Sequence, residues 1–296
     1  MKTNSILGIA ACCAALLAGN RATAETGAEK LGWQMAVHSY TFKNFSIYDA
    51  IDKTAAVGVK HMSISGSVNL TEAGKIKTIP TPTISEKDYA DILARMKEKG
   101  IYPKFVNMGV VKPVADEAES RKLFAAAKKL GIDVLVAEPE THGKMEELPG
   151  VMDVVEKLAK EYNIKVAIHN HPGPQNFYWK PETVLAAVQG RSPLLGSCAD
   201  VGHWVRSGLD PVECLKKLEG RIICLHFKDL NEKGAKGHDV PWGTGISNAK
   251  AMMTELKRQK FHGAFCVEYE YNWDNSAPEI AECAKFFNAT CEELAK

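Results

Sequence analysis

The chain has 296 residues, 45% of them apolar and 25% charged, with 37 basic residues against 36 acidic. That composition belongs to a globular protein with a large core and excludes a disordered or coiled-coil chain. The near-neutral balance also excludes nucleic acid as a partner, because contacts to its backbone require a basic excess.

At the start of the chain, Lys2 precedes a run of apolar and small residues from Ser5 to Gly19, which closes on Ala22, Thr23 and Ala24. This pattern predicts a signal peptide over residues 1–24, cleaved after Ala24, and hence an exported, periplasmic protein. About 15 apolar residues fall short of the roughly 20 a bilayer requires, so no membrane span is expected. Ile9-Ala10-Ala11-Cys12 loosely resembles a lipoprotein signal, but leaves a very short hydrophobic segment before the cysteine. Without Lys2 and Arg21 the remaining chain carries 35 basic and 36 acidic residues. Of its six cysteines, Cys198, Cys224 and Cys266 lie in apolar runs and Cys214, Cys283 and Cys291 in helical ones. Their spacing matches no zinc motif and they are expected to act as small core residues, although export would permit disulfides.

From Trp33 onward, short β-branched runs alternate with longer helical patterns, as parallel strands joined by helical crossovers do. Strands are predicted over 34–38, 59–64, 102–107, 134–137, 165–169, 195–199, 222–226 and 264–268, and helices over 47–57, 86–99, 117–130, 147–162, 181–189, 211–218, 248–259 and 278–294. Gly58, Gly100, Gly131, Gly220 and Gly263 stand between a helix and the next strand, where a left-handed residue ends a helix. Asp210-Pro211, and Ser85 with Asp88, mark helix starts. Eight units predict an α/β fold, a single (β/α)8 TIM barrel over residues 25–296 preceded by the signal peptide. An open doubly wound sheet is disfavoured because the first strand ends in His38-Ser39-Tyr40 rather than a glycine-rich turn. The stretch 66–83 is expected to be a loop over the barrel mouth.

Active residues of such barrels project from the C-terminal ends of the strands. Here strand four ends in Glu138-Pro139-Glu140, strand five in His169-Asn170-His171, strand six in Asp200-Val201-Gly202-His203, strand seven in His226-Phe227-Lys228-Asp229 and strand eight in Glu268-Tyr269-Glu270. Any one of these alone reads as a loop cap or a solvated group. Five in succession place carboxylates close enough to repel, and a cation relieves that repulsion. His169, Asp200, His226 and Glu268 are the predicted ligands of a divalent metal, manganese by preference, with Co²⁺, Zn²⁺ or Mg²⁺ also suited.

These segments resemble the xylose-isomerase-like TIM-barrel superfamily, the sugar phosphate isomerase/epimerase family. The resemblance rests on Asp200-Val201-Gly202-His203, on His226-Phe227-Lys228-Asp229 at a distance of 26 residues, on Pro241-Trp242-Gly243-Thr244-Gly245, and on Val267-Glu268-Tyr269-Glu270. It implies Asp200, His226 and Glu268 as ligands, His203 beside the substrate and Lys228 near its oxygens. The family commonly has a glutamate before Asn-His at the end of strand five, where this chain has His169. Its epimerases are thought to use two glutamates on opposite faces of a sugar, and only Glu268 of that pair is present. The second acid-base role falls to Glu138 or His169.

The resemblance thus implies a metal-dependent isomerase or epimerase acting on an unphosphorylated sugar through an enediolate. The alternatives are a 3-keto-glycoside lyase working by β-elimination in the same site, and a sugar-binding protein without catalysis. Catalysis is expected from Glu268, Glu138, His203 and Lys228, with His38, His171, Trp204 and Trp242 against the substrate and Trp179 a further stacking candidate. A homodimer is compatible with the sequence, although no surface stripe demands one.

Overall fold

The computed structural model describes residues 25–71, 78–102, 107–141 and 144–296, so the predicted signal peptide lies outside the described residues. Strands Trp33–His38, His61–Ser63, Asn107–Val111, Val134–Ala137, Lys165–His169, Leu195–Asp200, Ile222–Phe227 and Gly263–Val267 form one eight-stranded sheet. All its pairings are parallel. The first strand pairs with both the second and the eighth, which curls the sheet. A parallel bridge from His61 to Tyr102 ties the second strand to the chain leading into the third and joins the two edges into a barrel.

The helices follow the predicted alternation. Ile47–Ala56 and Glu86–Glu98 begin with capping boxes from Ser46 and Ser85, and Pro211–Lys217 begins on Asp210, whose carboxylate accepts from the amides of Val212 and Glu213. Gly58, Gly100, Gly131 and Gly220 hold the expected left-handed conformation. Gly263 does not: it opens the eighth strand, and Lys260, at φ 54°, turns the chain instead. A Cβ at Gly263 would lie 2.7 Å from the Ile223 carbonyl, so close strand approach explains this glycine.

Three further expectations are corrected. Among the described residues the third strand covers Asn107–Val111, past the predicted end at 107, with Tyr102 making the bridge and residues 103–106 outside the described set. The stretch 66–83 holds an antiparallel ribbon, Ser67–Asn69 with Thr78–Pro80, whose three-residue strands are too short to show alternation. The short helices Gly27–Leu31 and Val201–Arg206 also fall outside the predicted elements.

Most core residues lie between sheet and helices. The barrel lumen is filled separately by small side chains: Val134, Val136, Ala167, Cys198 and Cys224 on one side, Ala36, Ala264 and Cys266 on the other. All six described cysteines are buried, and burial pushes the Cys214 and Cys283 thiols up to about 12, which suits inert core residues.

Gly196 in the sixth strand is the tightest backbone contact of the lumen, since a Cβ there would meet the Arg221 carbonyl at 2.2 Å. Gly196→Ala is therefore expected to cost about 1–3 kcal/mol through forced strand displacement. Gly150→Ala, in a helix with open space around it, is expected to gain about 0.5–1 kcal/mol. Thermal melts of the two variants check this contrast; equal melting temperatures would contradict it.

Candidate metal centre

Parallel strands leave their last side chains at one rim, and here that rim is densely ionisable. His38 closes the first strand, His169 the fifth and Asp200 the sixth, while His226 lies near the end of the seventh and Glu268 directly follows the eighth. Cys198, Cys224 and Cys266 stand two residues before Asp200, His226 and Glu268, so the period-two alternation aims all six into the lumen. The four predicted ligands do come together. His169 Nε2 is 3.5 Å from Asp200 Oδ2 and 3.1 Å from His226 Nδ1, and His226 Nδ1 is 3.0 Å from Glu268 Oε2. His38 Nε2 stands 3.6 Å from Glu268 Oε1 and His203 Nε2 3.5 Å from Asp200 Oδ2. Two overlapping donor groups result, His169 with Asp200, His203 and Glu268, and His38 with His226 and Glu268.

These residues fit a metal ion. His226 Nε2 is buried without a hydrogen-bond partner, and Asp200 Oδ2 is met by the Lys228 ammonium, so the cluster holds its charge by ion pairing in a fully buried setting. The donor set of imidazoles and carboxylates suits a divalent cation, and the buried group could hold one.

His203 lies beside the four predicted ligands, with a second nitrogen turned away from them. Its Nδ1 faces Arg206 Nη1 at 3.1 Å, and a guanidinium only donates, so this nitrogen carries the lone pair and Nε2 carries the proton. Burial also lowers the His203 pKa well below normal, which keeps the ring neutral. His203 therefore presents an N–H donor beside Asp200. Arg206, which sequence reasoning passed over, is itself held by Glu270 Oε2 and Asp239 Oδ2, each at 2.7 Å. The only signal for it was its position one helical turn after His203.

Lys228 is fully buried among three carboxylates: Asp200 Oδ2 at 2.9 Å, Glu268 Oε2 at 2.8 Å and Glu270 Oε2 at 2.8 Å. Burial alone would discharge it, but the carboxylates outweigh burial and hold the ammonium protonated. Conversely, burial would raise Asp200 and Glu268, and the neighbouring cations hold both ionised. Gly202 makes room for this lysine, because a Cβ there would lie 2.8 Å from Lys228 Cβ. The glycine of Asp200-Val201-Gly202-His203 is thus explained by the lysine of the next strand.

Glu138 reaches the site through other residues. Its Oε1 accepts from His169 Nδ1 at 3.2 Å and, more closely, from His171 Nδ1. Burial opposes its ionisation, yet the two imidazoles lower it to about 2. Burial likewise opposes charge on His169, but Asp200 and Glu138 raise it to about 10. Burial lowers His38 to about 3, and its Nδ1 lies 2.8 Å from Ser63 Oγ.

The tryptophan expectations need correction. Trp204 and Trp242 are 0% and 2% exposed, and Trp242 packs on Phe227 and Phe287, so neither offers a face to a sugar. Trp179 is half-buried beside Lys180. Tyr40 offers a half-exposed ring 6.5 Å from His38, set edge-on against Trp273. The Pro241–Gly245 segment wraps Asp229, whose carboxylate accepts from the amides of Gly243, Gly245 and Ser247, so that motif is structural. Among the described residues, no helix is long and apolar enough to cross a membrane.

His226→Ala is expected to weaken binding of the inner ion at least tenfold; an unchanged affinity for that ion by metal titration would remove His226 from the ligand set.

Comparison with known proteins agrees with this geometry. Residues 51–290 match the family model of the xylose isomerase-like TIM barrel. An inosose dehydratase of Clostridium tetani is 34% identical over 147 residues, covering 44% of this chain and 48% of that protein. The chain thus spans about half the length of the curated relatives it matches first. A solved structure of a putative uncharacterized protein from Parabacteroides distasonis is 35% identical, covers 86% of this chain and 98% of its own, and superposes with a TM-score of 0.66. A xylose isomerase-like TIM barrel protein from Mycobacterium smegmatis, solved in complex with magnesium, shares the fold at 13% identity with a TM-score of 0.69, covering 89% of this chain and 98% of its own. The chain belongs to the xylose isomerase-like TIM barrel family.

Proposed function

We propose that the protein is a metal-dependent lyase that removes a proton beside the ketone of an unphosphorylated sugar or cyclic polyol and expels a β-oxygen substituent. The observation that carries this reading is that, among the described residues, Glu268 is the one glutamate grouped with Asp200 in the inner donor cluster. Epimerisation requires a second base on the opposite face, whereas here the fifth strand supplies His169, Glu138 is tied to His169 and His171, and Glu270 is held by Lys228 and Arg206. Elimination requires one base and one acid, and the site contains both. The dehydratase relative of Clostridium tetani supports this choice over the isomerase or epimerase reading.

His169, Asp200, His226 and Glu268 would hold the ion, with manganese proposed, and Glu138 fixes the ring of His169 through its Nδ1–H. A bound divalent cation supplies the Lewis acidity that acidifies a C–H beside a carbonyl. Glu268 accepts that proton, the freed electron pair forms the C=C bond, and the β C–O bond breaks. His203 Nε2–H, kept on that nitrogen by Arg206, hydrogen-bonds to the departing oxygen, and protonated Glu268 returns its proton there. Lys228 offers a buried positive charge for the oxyanion. Export to the periplasm is part of the proposal and accounts for the choice of an unphosphorylated substrate.

Metal-loaded protein incubated with cyclic polyol ketones, 3-keto-glycosides and free ketoses, followed by mass spectrometry, tests the reading. Loss of water or aglycone is expected. Recovery of an epimer or isomer of unchanged mass would overturn it in favour of the epimerase or isomerase, and binding without turnover in favour of a sugar-binding protein.

A further inference from the structure

Outside the four proposed ligands, a second group of metal-type donors shares one residue with them. Glu138, His169 and His171 each offer a ligand atom, and the three atoms lie within 4.8 Å of one another. Both imidazoles turn Nδ1 toward the same oxygen, Glu138 Oε1, and their rings meet edge-on with centroids 4.7 Å apart. His169 divides its nitrogens: Nδ1 faces this trio, and Nε2 faces Asp200 and His226.

The trio is also reachable. The His171 side chain is 40% exposed and that of Glu138 18%, whereas those of Asp200 and His226 are fully buried. Glu138 and His171 line a cavity of about 280 Å³ together with Glu140 and Asn176, so an ion has both a route and room for water ligands.

We propose that Glu138, His169 and His171 form a second divalent-cation site, joined to the inner cluster through the His169 ring. Two imidazoles and one carboxylate with open positions suit Zn²⁺ better than Mg²⁺ or Mn²⁺, which favour oxygen donors. Donors around one tetrahedral Zn²⁺ stand about 3.4 Å apart, from metal–ligand distances near 2.1 Å. The 3.2 Å from His169 Nδ1 to Glu138 Oε1 already matches this, and the closer contact from His171 opens as the ion replaces the shared hydrogen bonds. An ion on each side would take one nitrogen of His169 each, that on the outer side replacing the Nδ1–H bond to Glu138. The proposal rests on the inner-site reading only in that the two sites share this residue.

Equilibrium dialysis of the chelator-stripped full chain against Zn²⁺, with elemental analysis, tests it. About two ions per wild-type chain are expected, and about one each in His171→Gln and His226→Ala, from opposite sites. One ion in the wild type that His171→Gln retains overturns the second site and leaves the inner reading intact. Two ions retained by His226→Ala would instead overturn the inner reading. Should His171→Gln fail to give the wild-type circular dichroism spectrum, Glu138→Gln serves in its place, with retention of the second ion again counting against the proposal.

Discussion

Replacing Glu268 by glutamine is expected to abolish proton abstraction, with a loss of roughly 10²–10⁴-fold in the rate of deuterium exchange into a keto substrate. The substitution keeps the size and shape of the side chain and removes only its charge and basicity. In the native protein that carboxylate lies 3.0 Å from His226 Nδ1 and 2.8 Å from Lys228 Nζ, and its partners hold it ionised against burial. An amide there can neither accept the substrate proton nor balance the ammonium. Exchange followed by NMR, expressed per bound metal ion, separates loss of the base from loss of the metal. A fully active Glu268→Gln protein would refute the assignment.

Lys228→Met is expected to produce the largest change in stability, about 3–5 kcal/mol in metal-free protein, because it leaves buried carboxylates without their cation. Methionine preserves most of the stem volume, so packing against Gly202 changes little. The pH dependence follows from the same ion pairs. In the wild type, Asp200 and Glu268 have lowered pKa values, so their stabilisation is present above the ordinary carboxylate range and is lost as pH falls through the lowered values. Without Lys228 that lowering is diminished, and the gap between variant and wild type narrows as pH falls below about 4. Denaturant melts of chelator-treated proteins at neutral and acid pH check this. A gap that is constant with pH would mean that lost packing, not charge, is the cause.

The strand ends are legible in the sequence because parallel strands put every closing residue at one rim, which groups His169, Asp200, His226 and Glu268. What stayed hidden depends on contacts between residues distant in sequence. The tautomer of His203 is set by Arg206, and Arg206 by Glu270 and Asp239 from other segments. Glu138 was expected to act on the substrate, and its bonds to His169 and His171, from the next strand, could not be read from the sequence. Trp204 and Trp242 looked like sugar platforms because tryptophan stacks well on pyranoses, but composition carries no information on which way a ring faces, and both are buried. Gly263 was misread for a related reason: helix caps and close strand contacts both select glycine, and only the Ile223 carbonyl distinguishes them here.

Deuterium incorporation into a cyclic polyol ketone in D₂O, compared between chelator-stripped and metal-reloaded protein, tests the central claim most directly. The account predicts no exchange without metal, and exchange together with loss of the β-oxygen substituent once metal is restored. Equal exchange in both preparations would contradict a metal centre at His169, Asp200, His226 and Glu268.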